Sequence, residues 1–550
     1  MISRIRRRNT KFDRSLSLKS GDRLDGIQLS GDFSSLAYHY ATISVGSPPQ
    51  SFSLVVDTAS ALLALPCSGC ATCGKTQRKF MRLESSTSHY VNCEGVDKGC
   101  DSCVKLTENG PGECAYERSY SEGSSSSGVF VKDIASFSTV TSGPTGRSSA
   151  NVEMRFGCQL QADGQIAEQG VDGILGLSQG SLSMLSTMNR KGLLARNAFS
   201  LCMSSLGNGG IMTLGGVDPR LHSPIGFPGT GSTKMYISEK NGFYMLQLES
   251  LRIIKNTDQT TIQERRLIKS DLKSIQKLRG LTDVKWITAD SSRNAPIPIV
   301  LDTGSTYSYL RQDVLTILLE SIKKFCASTL TDANSSNSHS PCKGEIVSDH
   351  ELPDQQVLCF RGLQDGWESG ILQPASLEAQ SLPILQFKFV DSSILDVPIS
   401  RLLMRTDWTA GLHCLGLFPS SRAGGLVVLG ANAMHGLDVT FDAEGESWIW
   451  SPSNCSSTIA TMRTVSGTDA AFENSKLGIL KPIVQPSLEN SNDSSFDEKS
   501  FEALKSLAFG TGVGICATVL ALIGLLVFRG LKRKGRGGEV AYSRVGRNSS

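Results

Sequence analysis

The amino-acid sequence predicts a mainly β protein built from two similar lobes, and three observations support this prediction. Short runs such as 40–45 and 52–56 alternate apolar and polar residues, and glycine, serine and proline separate such runs up to about residue 453. Stretches with helical periodicity are few, and 314–325 is one of them. One pattern also occurs twice in the same order, which indicates a duplicated lobe. A chain of 550 residues is long enough for both lobes.

The duplicated pattern is an apolar run that ends in an aspartate. The first copy ends in Asp57-Thr-Ala-Ser60, and in the second copy the run 297–301 leads into Asp302-Thr-Gly-Ser305. Each copy is followed downstream by an apolar run with an embedded glycine. A carboxylate at the end of a buried strand is costly unless it is hydrogen-bonded or shares its charge. Two such turns therefore predict a site to which both lobes contribute one acid.

If Asp57 and Asp302 lie side by side, they predict acid–base chemistry that needs neither a metal nor a cofactor. Like charges a few ångströms apart raise one pKa, so that the pair holds a single proton. The ionised carboxylate can then take a proton from a water molecule, while the protonated one polarises an amide carbonyl. The pair therefore predicts peptide hydrolysis through a tetrahedral intermediate.

From about 38 to 455 the chain resembles the pepsin-like aspartic proteases, because both Asp-Thr-Ala/Gly-Ser turns match the two motifs of that family. The aspartic-protease dyad is the standard example of the pKa splitting described above. The resemblance implies a bilobal pepsin-like fold with Asp57 and Asp302 as catalytic residues. It also implies that the neighbouring hydroxyl residues support the two acids, namely Thr58, Ser60, Thr303 and Ser305.

The resemblance also places a flap, a hairpin that closes over the substrate, at residues 116–130. Tyr120 would be the flap tyrosine. The sequence departs from the family at two positions. Ala59 replaces a glycine, and its methyl group fits only if φ is negative. Ala64 replaces a tryptophan that holds the flap tyrosine, so Tyr120 needs another partner or a looser flap.

Fifteen cysteines indicate an oxidising compartment. Cys516 lies in an apolar segment, and the other fourteen are disulfide candidates: Cys67, Cys70, Cys73, Cys93, Cys100, Cys103, Cys114, Cys158, Cys202, Cys326, Cys342, Cys359, Cys414 and Cys455. Zinc binding by the Cys-x-x-Cys-x-x-Cys run is the alternative that we consider weaker. Seven of the fourteen lie in an insert, 67–114, so either one disulfide leaves the insert or two thiols stay free. Cys359 with Cys414 is the favoured pair of the second lobe.

The Cys-rich insert resembles that of plant nepenthesin-type enzymes and of the plasmepsin V-like export-processing proteases of apicomplexan parasites. This resemblance implies residence in the endoplasmic reticulum or Golgi membrane and cleavage of secretory proteins after an Arg-x-Leu type motif. A basic substrate residue needs an acidic pocket, and Glu122 in the predicted flap can pair with arginine. Glu168 and Gln169 are further candidates for the same pocket.

Residues 507–528 carry no charge, and as a helix they would span roughly 33 Å, enough to cross a bilayer. A basic tail, 529–550, follows at once and predicts a single-pass helix with a cytosolic C-terminus and a lumenal body. A buried core helix is the alternative. The remaining boundaries that we predict are a flexible N-terminal segment, 1–36; an N-terminal lobe, 37–250; a C-terminal lobe, 251–455, with a polar insert at about 255–295; and a stalk, 456–506.

Two non-enzymatic functions compete with peptide hydrolysis. A catalytically weakened pepsin-like binding protein or receptor would explain Ala59, but both aspartates are present. A Cys-rich adhesive ectodomain would leave the paired motifs unexplained. The net charge of +3 does not indicate a nucleic-acid partner. We expect a monomer that binds polypeptides with a basic residue near the cut.

Overall fold

The computed structural model describes residues 25–455 except for short gaps: 33–37, 75–77, 94–99, 107–111, 121–122, 140–147, 205–208, 219–220, 224–226, 256–285, 289–294, 328–329, 332–337, 340–341, 343, 348–356, 364–366, 369–370, 373–380, 408–411, 421–425 and 454. No helix within these described residues is long and apolar enough to cross a membrane. The predicted stalk, membrane helix and basic tail lie outside the described residues, so they stay predictions.

The first half of the described chain is almost entirely β. Its strands are β1 (Asp25–Asp32), β2 (Tyr38–Val45), β3 (Gln50–Asp57), β4 (Leu63–Pro66), β5 (His89–Tyr90), β6 (Ser102–Val104), β7 (Glu113–Ser119), β8 (Ser125–Thr139), β9 (Ser148–Asp163), β10 (Gly173–Gly176), β11 (Ala198–Met203), β12 (Gly210–Leu214), β13 (Gly231–Lys234), β14 (Tyr236–Ile237) and β15 (Tyr244–Ile254). Its helices are short: a 3₁₀ turn (Arg82–Glu84), α1 (Gln165–Glu168) and α2 (Met184–Arg190).

The second half is also mainly β. Its strands are β16 (Ile287–Thr288), β17 (Ile297–Asp302), β18 (Ser308–Leu310), β19 (Leu330–Thr331), β20 (Ser338–His339), β21 (Glu345–Ile346), β22 (Cys359–Arg361), β23 (Trp367–Glu368), β24 (Ile371–Leu372), β25 (Ile384–Phe389), β26 (Ile394–Pro398), β27 (Leu403–Asp407), β28 (Leu412–Leu415), β29 (Leu417–Pro419), β30 (Val427–Gly430), β31 (Leu437–Asp442) and β32 (Ser447–Pro452). Its helices are α3 (Gln312–Ala327), α4 (Ile399–Leu402) and α5 (Ala431–Met434).

Two large sheets organise these strands. The larger one has the order β13-β32-β31-β11-β12-β1-β2-β3-β10-β4-β9-β8-β7-β6, with β5 added beside β8. The second has the order β26-β25-β15-β17-β30-β18-β29, with β14 and β16 also paired to β15. The C-terminal strands β31 and β32 therefore return to the sheet of the first half. The mainly β fold predicted from the sequence is confirmed.

The duplicated pattern has the same topology in both sheets. Strand β3 pairs in parallel with β10, which places Asp57 opposite Gly176. Strand β17 pairs in parallel with β30, which places Asp302 opposite Gly430. Neither glycine leaves room for a side chain, because a Cβ would lie 2.5 Å from the Leu62 nitrogen in the first copy and 2.1 Å from a backbone oxygen in the second. The embedded glycines thus let a second chain segment cross beside each aspartate turn.

Local predictions from periodicity are confirmed at two places. Strands β2 and β3 form the expected hairpin, with Val45 opposite Gln50. The helical run 314–325 lies within α3, whose apolar side is buried. The prediction of a flexible segment over 1–36 is wrong for the part that the structure describes, since β1 pairs with both β2 and β12. The physical reason is the alternation of Ile27 and Leu29, which are 2% and 1% exposed.

Disulfides connect all fourteen candidate cysteines, as the oxidising-compartment interpretation predicts: Cys67–Cys158, Cys70–Cys73, Cys93–Cys103, Cys100–Cys114, Cys202–Cys455, Cys326–Cys342 and Cys359–Cys414. One disulfide leaves the Cys-rich insert and ties it to β9. The pair favoured from the sequence for the second lobe is present. Cys202–Cys455 joins β11 to the end of the described chain, next to β31 and β32.

Candidate active site

The two aspartate turns meet where β3 and β17 end. Thr58 and Thr303 follow the aspartates directly and are 0% and 2% exposed. The Thr58 nitrogen donates to the Thr303 hydroxyl at 3.2 Å, and the Thr303 nitrogen donates to the Thr58 hydroxyl at 3.0 Å. These two reciprocal hydrogen bonds bring together turns that are far apart in sequence.

Each threonine hydroxyl also donates to the opposite strand. The Thr58 hydroxyl donates to the Leu301 carbonyl at 2.9 Å, and the Thr303 hydroxyl donates to the Val56 carbonyl at 2.8 Å. Both hydroxyls therefore donate once and accept once, so no polar group in this buried contact is left unpaired. The arrangement is symmetric and fixes the positions from which both carboxyl groups project.

The two carboxyl groups have different hydrogen bonds. Asp302 accepts from the Gly304 nitrogen at 2.9 Å, the Ser305 nitrogen at 3.1 Å and the Ser305 hydroxyl at 2.8 Å. Asp57 accepts from the Ala59 nitrogen at 2.8 Å. Hydrogen bonds to a carboxylate stabilise its charged form. Together with the deeper burial of Asp57, which is 7% exposed, this difference favours the negative charge on Asp302 and the proton on Asp57.

Burial and charge act on Asp57 in the same direction. Its side chain is almost fully buried, and this burial is the largest cause that raises its pKa. The neighbouring charge of Asp302 raises the pKa further. Interactions with the Ser60 hydroxyl and with the backbone nitrogens of Ala59 and Ser60 lower the same pKa but do not offset the rise. The raised pKa of Asp57 lets the pair keep one proton at a pH where an exposed aspartate has lost it.

This raised pKa predicts how peptide cleavage should depend on pH. Cleavage should persist at weakly acidic pH, because the pair still holds one proton there, and should fall as the pH rises through the raised pKa of Asp57. It should also fall in strong acid, where both carboxyl groups are protonated and no base is left. The profile of kcat/KM against pH checks this. A rate that keeps rising into alkaline pH would contradict a shared proton.

The backbone at Ala59 explains why alanine is tolerated there. Within the described residues, positive φ among residues other than glycine occurs at Ser392 and Glu446, so Ala59 does not need the conformation that favours glycine. At the equivalent place in the second turn, Gly304 is needed because a side chain there would collide with Asp57. A Cβ on Gly304 would lie 2.6 Å from the Asp57 carboxyl carbon. The two positions therefore differ in tolerance despite their matching sequence.

The hairpin of β7 and β8, with its turn at 120–124, is the predicted flap, and we call it the flap below. Ser119 pairs with Ser125 at its end. The Tyr120 nitrogen donates to the Ser124 carbonyl at 2.9 Å, so Tyr120 opens the turn. Glu122 lies outside the described residues. In the sequence it follows Tyr120 by two positions.

Buried side chains surround Ala64, the position at which the family resemblance implies a tryptophan. Ala64 is 0% exposed and shares a cluster with Leu62, Tyr116 and Phe130. The Tyr116 hydroxyl lies 3.3 Å from the Ser126 hydroxyl, which also accepts a hydrogen bond from the Gln159 side chain at 3.0 Å. Burial raises the pKa of Tyr116, so its hydroxyl stays protonated. Tyr116, which the sequence-based predictions did not include, thus packs in the same buried cluster as Ala64 at the base of the flap.

Glu168 and Gln169 lie at the end of α1, just before β10. Glu168 is exposed and Gln169 is half-buried. Helix α1 also contacts the flap, because the Ile166 nitrogen donates to the Ser124 hydroxyl at 3.3 Å. Glu168 therefore belongs to the helix that touches the flap, and Gln169 follows that helix directly. The contact of Glu168 and Gln169 with a substrate stays a prediction.

Two other features lie apart from this site. A surface cavity of about 580 Å³ at the start of β3, at the opposite end of that strand from Asp57, is lined by Gln50, Ser51, Phe52, Arg78, Lys79 and Met81. Among the described residues, no group of three or more His, Cys, Asp or Glu side chains could hold a metal ion.

Comparisons with known proteins agree with this geometry. Residues 39–216 match the family described as "Xylanase inhibitor N-terminal". The chain is 32% identical to aspartic protease 5 of Toxoplasma gondii over 212 residues, which cover 35% of this chain and 21% of that protein. It is 29% identical to plasmepsin V of Plasmodium falciparum, over 35% of this chain and 32% of that one. The match thus spans less than a third of either apicomplexan protein.

A plant relative is matched over most of its length. Aspartic proteinase 36 of Arabidopsis thaliana is 25% identical, over 80% of this chain and 78% of that protein. Among solved structures, the basic 7S globulin from soybean has a TM-score of 0.52 and 16% identity, over 79% of this chain and 96% of that one, which shows a shared fold. In its fold, its two aspartate turns and its sequence, the chain is thus similar to proteins named as aspartic proteases.

Proposed function

We propose that the protein is an aspartic endopeptidase that uses Asp57, Asp302 and one water molecule. The observation that carries the proposal is the pair of reciprocal hydrogen bonds between Thr58 and Thr303, which holds the two aspartate turns together. A binding surface would not need two adjoining carboxyl groups of which one is buried and the other half-buried. General acid–base catalysis needs one group of each protonation state.

The proposed reaction uses the difference between the two acids. Asp302, as carboxylate, takes a proton from water while the water oxygen bonds to the peptide carbonyl carbon. Asp57, as acid, donates its proton to the carbonyl oxygen, giving a neutral tetrahedral diol. In the second step, Asp302 gives its proton to the peptide nitrogen and Asp57 takes back a proton from the diol as the C–N bond breaks. The products are one carboxylic acid and one amine, and the pair again holds a single proton.

As a finer part of the proposal, the substrates are secretory or exported polypeptides that carry arginine near the cut, in an Arg-x-Leu type motif. Glu122 supports this, since it follows Tyr120 by two residues in the sequence and its carboxylate can pair with a guanidinium group. The proposed setting is the endoplasmic reticulum or Golgi membrane, with the body lumenal and the helix 507–528 as anchor. The seven disulfides are consistent with an oxidising lumen.

Replacing Glu122 by alanine tests the substrate preference. The variant should lose about tenfold or more in kcat/KM on a peptide with arginine near the cut, because a charge-assisted pair contributes about 1.5–3 kcal/mol. A matched peptide with citrulline in place of arginine should be cut by both proteins at similar rates. Equal losses on both peptides would remove Glu122 from arginine recognition.

A binding protein or receptor without turnover is the second candidate. The matched family is described by its inhibitor members, and Ala59 departs from the protease motif. Incubation of the full-length protein with a peptide library at mildly acidic pH separates the two functions. An endopeptidase should yield fragments that accumulate with time and disappear in the Asp302→Asn variant. Retention of intact peptides by both proteins would favour a binding protein.

A further inference from the structure

The returning strand of the flap is held by the junction between β9 and α1. The Asp163 carboxylate accepts two hydrogen bonds from Ser125, from its nitrogen at 2.8 Å and from its hydroxyl at 2.8 Å. The Ser124 hydroxyl accepts from the Ile166 nitrogen at 3.3 Å. Ser124 is 1% exposed although it belongs to the flap turn. We call Ser124, Ser125, Asp163 and Gly164 the latch.

Gly164 makes this close contact possible. Its φ of +71° lies in the region that favours glycine. A Cβ at this position would lie 2.8 Å from the Ser124 Cα and 2.6 Å from the Ser124 hydroxyl oxygen. The chain thus places its least bulky residue where the junction meets the flap, and any side chain there would push the flap away.

The Cys-rich insert supports the latch from behind. The Cys70–Cys73 disulfide packs with Ala162 and Ile166 on either side of the junction. The Ala162 nitrogen donates to the Thr72 hydroxyl at 3.3 Å. The backbone of this loop is also close to α1, since a Cβ on Gly74 would lie 1.7 Å from the Ala167 carbonyl oxygen. The junction is therefore packed between the insert and the flap.

We infer that Asp163 is a positioning residue, which holds the flap over the reacting peptide through Ser125. This inference rests on the proposed endopeptidase function. At position 64 the chain has alanine in place of the tryptophan that would hold the flap. The latch restrains the flap from the side instead. A flap that is already held in place loses less conformational entropy when the substrate binds. The latch should therefore act on KM more than on the chemical step.

Backbone hydrogen exchange over residues 119–125, measured by mass spectrometry on the full-length protein, tests the latch without any substrate. Asp163→Ala removes the acceptor of two hydrogen bonds and should speed exchange about tenfold or more. Asp163→Asn keeps an acceptor oxygen and should stay within about threefold of the wild type. Gly164→Ala should speed exchange at least as much as Asp163→Ala. Wild-type exchange in both Asp163→Ala and Gly164→Ala would overturn the inference.

Peptide cleavage then tests the positioning role. Asp163→Ala should raise KM about tenfold and change kcat by less than about threefold, and Asp163→Asn should restore KM. A merely structural role would instead lower the active fraction, and with it kcat, at constant KM. Unchanged KM in Asp163→Ala would overturn the positioning role. A wild-type protein that cuts no peptide would refute the proposed function, while hydrogen exchange would still decide whether the latch holds the flap.

Discussion

Asparagine in place of Asp302 should reduce kcat for peptide cleavage at least about 10³-fold. The amide keeps the shape of the side chain and can still accept hydrogen bonds from the Gly304 and Ser305 nitrogens. It has no negative charge and cannot take the proton of the attacking water. The measurement is kcat on one peptide for both proteins, each checked for folding by thermal unfolding.

The matched control is Asp57→Asn, which removes the other acid. It should cost a similar factor, because an amide in the place of Asp57 cannot give the carbonyl oxygen a proton. Combining both substitutions should cost little more than either alone, since residues that act as a unit are not additive. Additive losses would indicate that the two acids act independently and would contradict a shared proton.

Alanine in place of Gly304 should reduce kcat/KM about 100-fold without unfolding the protein. The new methyl carbon would start 2.6 Å from the Asp57 carboxyl carbon. It must move this carboxyl by about 1 Å to reach ordinary contact, and a displacement of this size in a catalytic group costs about 10²-fold. The measurement is kcat/KM on the peptide used for Asp302→Asn.

Ala59→Gly is the matched control in the first turn. It should change kcat/KM by less than about threefold, because Ala59 already lies in a turn that does not require glycine. The pair of variants thus tests whether the departure at Ala59 is harmless. A large gain in rate from Ala59→Gly would show instead that the methyl group limits activity.

Much of the site was predictable because its chemistry is local in sequence. Asp57 and Asp302 each end an apolar run, and the hydroxyl residues that support them follow within three positions. The repetition of this pattern predicted that the turns meet. The downstream apolar runs with an embedded glycine belong to the same repeat, because β10 pairs in parallel with β3 and β30 pairs in parallel with β17.

Other features depend on contacts that no local pattern records. Strand β1 was missed because eight residues with two buried apolar side chains are a weak signal beside a basic, polar segment. The cysteine count predicted that one disulfide could leave the insert, but only the fold shows that Cys67 reaches Cys158. The latch could not be predicted, since Ser125 and Asp163 meet through the register of β8 and β9.

The most direct test of the central claim is cleavage of a peptide library by the full-length protein in ¹⁸O-labelled water at mildly acidic pH. Water attack assisted by both acids predicts fragments whose new C-terminal carboxyl group carries ¹⁸O, enriched for arginine near the cut and absent with Asp57→Asn or Asp302→Asn. Intact peptides after incubation with the wild type, or the same labelled fragments from either variant, would contradict the account.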